Sequence, residues 1–292
     1  MMPAASPASP RPAAAPVVPL DYECDYDSAR RGSPMTHELV ELFRYRDFLH
    51  QLVARNIRVR YKRSALGVLW SMLSPLLTTV VLSIVFLAVF QSAAPNYPVY
   101  LLCGLLIWNF FVQATTMMAA EMIGGADLWK RIYTPRTIFA VATLVTGLVH
   151  LTMALVPVLA LVVFLGMPIG IAWLTVPFVV FCVALFTLGV GLLLSVVSAR
   201  FPDVVDLYQV VVGAWLYLTP VIYPRAIVPE RFQWLLALNP MTWFVEAFRL
   251  PIYDNVVPPP RLLAMAFTIA LISAALGWWA FTKSADDLAR RI

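Results

Sequence analysis

This sequence is poor in charge. Of its 292 residues only 13% are Asp, Glu, Lys or Arg, while 61% are hydrophobic and the mean hydropathy is +0.80. A soluble domain is about 25% charged and roughly 45–50% apolar. The chain therefore lacks the polar surface to wrap a water-soluble body and reads as an integral membrane protein. Cys24, Cys103 and Cys182 form no paired spacing, which excludes a disulfide framework, and His37, His50 and His150 are too dispersed for a metal site. No G-x-x-x-x-G-K-[ST] phosphate loop, HExxH or GxSxG occurs, so the chain binds no ATP in that manner and carries no recognisable catalytic centre. Inside the apolar runs ionisable side chains are nearly absent, His150 being the main exception. Proton-coupled carriers keep Asp, Glu or His at depth; here energy comes from another subunit, or the chain is a passive channel. The formal charge of +5 gathers into no basic face on a soluble domain, which excludes nucleic acid as a partner.

What the sequence does contain is long apolar runs, at residues 64–90, 99–120, 138–165, 172–198, 207–223 and 262–282. About 20 residues cross a bilayer core of roughly 30 Å, and only the fifth run is near the short limit. Continuous hydrophobicity without alternation predicts helices rather than a barrel. Cytoplasmic loops carry the excess of Lys and Arg. Seventeen of the 21 lie before the first run, in the second and fourth gaps, or in the tail, which predicts six spans with both termini cytoplasmic. The other four, Arg225, Arg231, Arg249 and Arg261, fall in the fifth gap. Within that gap, residues 224–261, "PERFQWLLALNP" and "MTWFVEAFRLPIY" are each too short to cross, and Pro240 separates them; two short outer helices that dip into the membrane fit best. A seventh and eighth span would place Glu246 and Arg249 in lipid.

Three segments follow. Residues 1–34, rich in Pro and Ala, read as a disordered cytoplasmic tail rather than a secretory signal. Residues 35–63 hold an amphipathic helix along the inner membrane surface, ending in basic residues, and 64–292 form the membrane domain. Arg55, Arg58, Arg60, Lys62 and Arg63 stand just ahead of the first run, with Arg55, Arg58 and Lys62 on one helical face. Such cations orient a span and attract anionic lipid at about 1 kcal/mol each; alternatively they grip an anionic substrate, for which the planar arginine fork is suited. In the second cytoplasmic gap, "EMIGGADLWKRIYTPR", Gly124 and Gly125 end one helix, Asp127 caps a short new one and Pro135 closes it. Leu128, Trp129, Ile132 and Tyr133 beside Lys130 and Arg131 make that helix either a headgroup-resting element or a peg for a cytoplasmic partner.

The stretches "YKRSALGVLWSMLSPLL", "LWKRIYTPR" and "LALNPMTWFVEAFR", with the less distinctive "SARFPDV", resemble the membrane-spanning permease of ABC-type polysaccharide exporters, the family serving O-antigen, capsule and teichoic acid export. The resemblance covers nearly everything from residue 38 onward. It implies an all-α, six-helix permease subunit that forms a homodimer with one conduit. Two copies of a separate cytoplasmic ABC ATPase would hold the ATP and Mg, this chain carrying no cofactor and doing no catalysis of its own. The substrate implied is a polysaccharide on undecaprenyl pyrophosphate, crossing the bacterial inner membrane. Residues 128–133 become the coupling helix seated on the ATPase, and Arg225, Pro240, Trp243, Glu246 and Arg249 belong to the outer gate. Arg55, Arg58, Arg60, Lys62 and Arg63 then draw the pyrophosphate headgroup. Trp70, Phe86 and Phe90 on the first helix, with Tyr208, Trp215 and Tyr217 on the fifth, are conduit aromatics on which sugar faces slide; interfacial belts are the other reading of such rings. Pro75 and Pro220 are expected to kink the two gate helices. A permease for drugs or small lipids, or a stand-alone channel, are the alternatives.

Overall fold

A computed structural model describes residues 38, 41–62, 67, 69–90, 95–124 and 137–291, the side chains of 71, 87–90, 123, 124 and 285–291 excepted. The tail 1–34, Arg63 and residues 128–133 lie outside the described residues. Helix is the only regular structure among those described. The elements are α1 (Arg46–Tyr61), α2 (Leu69–Phe90), α3 (Tyr97–Gly124), α4 (Thr137–Phe164), α5 (Val176–Arg200), α6 (Val204–Leu218), α7 (Gln233–Leu238), α8 (Pro240–Arg249) and α9 (Pro260–Arg291).

Among the described residues four helices are long and apolar enough to cross a membrane: Tyr97–Met122, Thr137–Phe164, Ile171–Arg200 (a 3-10 turn leading into α5) and Pro260–Ser284. The fifth predicted run gives a shorter apolar helix, Val204–Leu218, and the first gives the 22-residue α2, apolar over Met72–Phe86. Proline explains the fifth. A residue preceding proline is driven out of the α region, and Thr219, ahead of Pro220, is extended at ψ 135°, so α6 stops at Leu218. Pro220 thus ends this helix, where a kink was expected, whereas Pro75 sits inside α2.

Side-chain pairs fix the helix directions. Phe111 stacks on Phe186 and Ser198 bonds the Ala119 carbonyl, so α3 and α5 run parallel. Phe178 stacks on Phe267 and Ser273 bonds the Phe186 carbonyl, so α9 is parallel to both. The Tyr208–Thr115 and Trp215–Trp108 pairs run α6 the opposite way. Between α5 and α9 the backbones touch: a Cβ on Gly277 would come within 2.2 Å of the Gly189 carbonyl oxygen, and one on Gly189 within 2.2 Å of that of Ser273. Small residues at such a crossing are how membrane helices pack, since lipid supplies no hydrophobic drive between them. The core beneath is aromatic, with Phe111, Phe244 and Phe248 fully enclosed.

α1 departs from expectation. Leu52 is buried against Ile138, Phe139 and Ala142 at the start of α4, and eight residues further on Arg60 meets His150. α1 therefore runs along α4 rather than leaving it at its end. At 1.5 Å per residue, His150 stands about 20 Å beyond Thr137, so α1 carries a guanidinium toward the middle of its neighbour.

Candidate functional site

That guanidinium is the centre of the site. Arg60 donates to Gln113 Oε1 on α3 at 3.1 Å and approaches His150 Nδ1 on α4 at 3.5 Å. Arginine only donates, so Nδ1 accepts and the ring proton belongs on Nε2, a buried atom with no hydrogen-bond partner. The Tyr61 ring stands edge-on to His150 at 5.7 Å.

Two cavities meet at these groups. A cleft of about 1090 Å³ opens between α1, α3, α4 and α6, lined by Arg55, Asn56, Arg60, Gln113, Glu121, His150 and Gln209 with apolar Val59, Val112, Met117 and Val212. A second cavity, about 480 Å³, lies between α1, α2, α3 and α4; it shares Arg60, Gln113, Met117, Thr146 and His150 and adds Trp70, Asn109 and the apolar Leu77, Phe110 and Leu151. The Glu121 carboxylate, in the last turns of α3, accepts the Thr143 hydroxyl. The walls thus combine two guanidiniums, one carboxylate that is already bonded to Thr143, and several amides with long apolar surfaces, a chemistry suited to an amphipathic anion.

Of the five basic residues named from sequence, Arg55 and Arg60 line the cleft. Arg58 and Lys62 are exposed and border neither cavity. The five aromatics whose side chains are described do not gather on one surface. Trp70 is 54% exposed at the second cavity. Phe86 stacks on Tyr97 at 5.7 Å, and the Phe90 side chain lies outside the described residues. Tyr208 and Trp215 share one face of α6 and turn it into the protein: the Tyr208 and Thr115 hydroxyls are 2.7 Å apart, while Trp215 stands edge-on to Trp108 and Phe111 and donates to Asn239. Tyr217, 69% exposed, points away.

Of the five residues expected at an outer gate, four lie on α8 and the fifth, Arg225, pairs with one of them. Pro240 opens α8 directly after Asn239, whose side chain caps the helix by accepting the Met241 N–H. Arg225 pairs with Glu246 at 3.4 Å, and the Trp243 indole donates to the Ala237 carbonyl. Arg249 is buried and donates to the carbonyls of Tyr100, Pro220 and Val221. Gln113 and Tyr100, inside the second apolar run, and Tyr97 and Asn239, in the gaps, were missed from sequence, because only Asp, Glu, Lys, Arg and His were sought; an amide or phenol in apolar surroundings carries the same signal.

The match to proteins of known family takes in this whole arrangement. The ABC-2 type transporter model matches residues 48–253, from α1 through the turn after α8. The chain belongs to that family. Among curated relatives, an O-antigen export system permease protein of Myxococcus xanthus is 30% identical over 262 residues, covering 86% of this chain and 98% of that protein. A protein of the same name from Klebsiella pneumoniae is 27% identical over 251 residues, 85% and 95% of the two chains. A polysialic acid transport protein of Escherichia coli is 22% identical over 233 residues, 77% and 89%. The ABC-2 segment thus contains both cavities' lining and both short helices, α7 and α8.

Proposed function

We propose that this ABC-2 subunit exports a polysaccharide linked to undecaprenyl pyrophosphate across the bacterial inner membrane, as a homodimer driven by two copies of a separate ABC ATPase. The observation that carries the reading is the pairing of near full-length relatives named for O-antigen export with a cleft that sets Arg55 and Arg60 beside long apolar walls. A pyrophosphate lipid needs both. Its oxygens take charge-assisted bonds from guanidinium, and its chain takes the apolar surface. Arg60, already bonded to the neutral acceptors Gln113 and His150, is held in place without being neutralised.

Six crossings with both termini cytoplasmic complete the reading. α5 and α9 run parallel, so the chain between them has to recross, and α6 is the segment that does so. Residues 128–133 supply the contact to the ATPase, Arg225 to Arg249 close the outer side, and Trp70 and Tyr217 offer ring faces to the glycan. The test is co-purification with an ABC ATPase of the same cell, scored by ATP hydrolysis and by export in vesicles, with Trp129→Ala and Tyr133→Ala variants. Association and export that both vanish with the variants support the reading. Ion conduction without any ATPase would replace it with a channel.

A further inference from the structure

The short α6 raises a physical problem. Its 15 residues span only about 22 Å, against roughly 30 Å of hydrocarbon. The remainder of the crossing falls to residues 219–223, where Thr219, Pro220, Val221 and Ile222 are all buried and non-helical. Backbone of that kind is tolerated at membrane depth only where protein satisfies each polar group.

Every carbonyl from 217 to 223 has a donor. Tyr223 Oη donates to Tyr217 at 2.9 Å, Asn239 Nδ2 to Leu218 at 3.2 Å, and the Val221 N–H to Thr219 at 2.6 Å. Arg249 donates to Pro220 at 3.0 Å and to Val221 at 2.9 Å. Tyr97 Oη then serves Ile222 at 2.6 Å and Tyr100 Oη serves Tyr223 at 3.0 Å. Asn239 spends all four of its bonds here: besides Leu218 it donates to Thr219 Oγ1, and it accepts from the Trp215 indole and from the Met241 N–H that opens α8.

Arg249 is the member no other side chain could replace. Its fork reaches two adjacent carbonyls on one side and the Tyr100 carbonyl on the other, with the carbon of the guanidinium 3.6 Å from the Tyr100 ring centroid. Among the described residues no carboxylate bonds it. Room for it comes from Gly104 on α3, where a Cβ would stand 2.6 Å from the guanidinium and 3.1 Å from Val221. A lysine, with its single nitrogen, cannot span the three acceptors.

We propose that Arg249 is a positioning residue for export. It fixes 219–223 as a permanently unwound end of the fifth crossing, and so fastens α6 to α8 and α3 as one body. The outer closure then cannot lift on α8 alone; it moves only when α6 moves. This rests on the permease reading above, but the clamp itself does not.

Two measurements test it on the full chain. In the purified protein, amide exchange over 219–223 should quicken about tenfold or more in Arg249→Gln, with Arg249→Lys recovering only part. Gly104→Ala should reproduce Arg249→Gln, and the double variant should add little, because both act through one contact. In vesicles with the ATPase, ATP hydrolysis should stay within about twofold of wild type while export falls about tenfold, an uncoupling that a merely structural role would not give. Unchanged exchange overturns the clamp. Hydrolysis and export falling in proportion overturn the positioning role. A wild-type chain that exports nothing fails the permease reading instead, and the exchange result still decides the clamp.

Discussion

Arg60 and Arg58 are two residues apart, yet they face different surroundings. Leu52, buried on α4, fixes the rotation of α1. At 100° per residue, Arg58 is turned about 120° from the Leu52 line, while Arg55 and Arg60 flank it at smaller angles on either side. The sequence showed a basic cluster, and its shared-face reading grouped Arg55, Arg58 and Lys62, of which only Arg55 lines the cleft. Which arginines face inward depends on a partner helix 80 residues away in the chain. Removing one charge-assisted bond costs about 1.5–3 kcal/mol, so Arg60→Gln should weaken binding of a polyprenyl pyrophosphate lipid roughly tenfold to a hundredfold, with Arg58→Gln near wild type. Equal losses at both positions, read by native mass spectrometry in detergent, would mean that the lipid sees only a diffuse basic surface. The aromatics divide in the same way. Trp215→Ala removes a packed indole and its bond to Asn239, and should cost about 3 kcal/mol of stability. Tyr217→Ala should leave the melting temperature unchanged and slow export. Melting curves and vesicle export on the same two variants separate core from conduit; a Tyr217 variant with normal export would remove that ring from the path.

At the scale of elements, composition gave the helices and proline gave their ends. Apolar runs mark where helices lie, because nothing else satisfies backbone in lipid. The predicted fifth run overshot to 223, since its apolar content continues past the point where Pro220 forbids helix. The two short helices α7 and α8 were legible from length and from Pro240. The seam between α5 and α9 was not, because Gly189, Ser273 and Gly277 are unremarkable residues until the faces that meet are known. Their Cβ-free contact makes a sharp prediction. Gly277→Ala forces backbone apart at 2.2 Å and should destabilise by about 1–3 kcal/mol, visible as a lowered melting temperature in detergent. Gly213→Ala, with open space around the new Cβ, is the internal control, expected to gain up to about 1 kcal/mol of helix propensity rather than to lose stability. A tolerated Gly277→Ala would mean that the helices stand further apart than drawn.

At the scale of the whole molecule, the alternating helix directions carry the topology further than hydropathy alone. With α5 and α9 both spanning and parallel, residues 201–259 would begin on one face of the membrane and end on the other, as the proposed six crossings require. A chain with only the four long spans would need α5 and α9 antiparallel, or one of them outside the lipid. Charge agrees in direction: Arg200, at the end of α5, lies at the end of the bundle where α3 finishes and where Leu52 of α1 meets the start of α4. Single cysteines at Asp203 and Ala226, placed in a background lacking Cys24, Cys103 and Cys182, decide the matter, since both positions are exposed and bracket α6. A membrane-impermeant maleimide added to intact cells should label Ala226→Cys and spare Asp203→Cys, which should react only after the membrane is opened. Labelling of both from the same side would leave α6 as a surface helix, reverse the side on which α9 ends, and remove the need for a clamped, unwound backbone at 219–223.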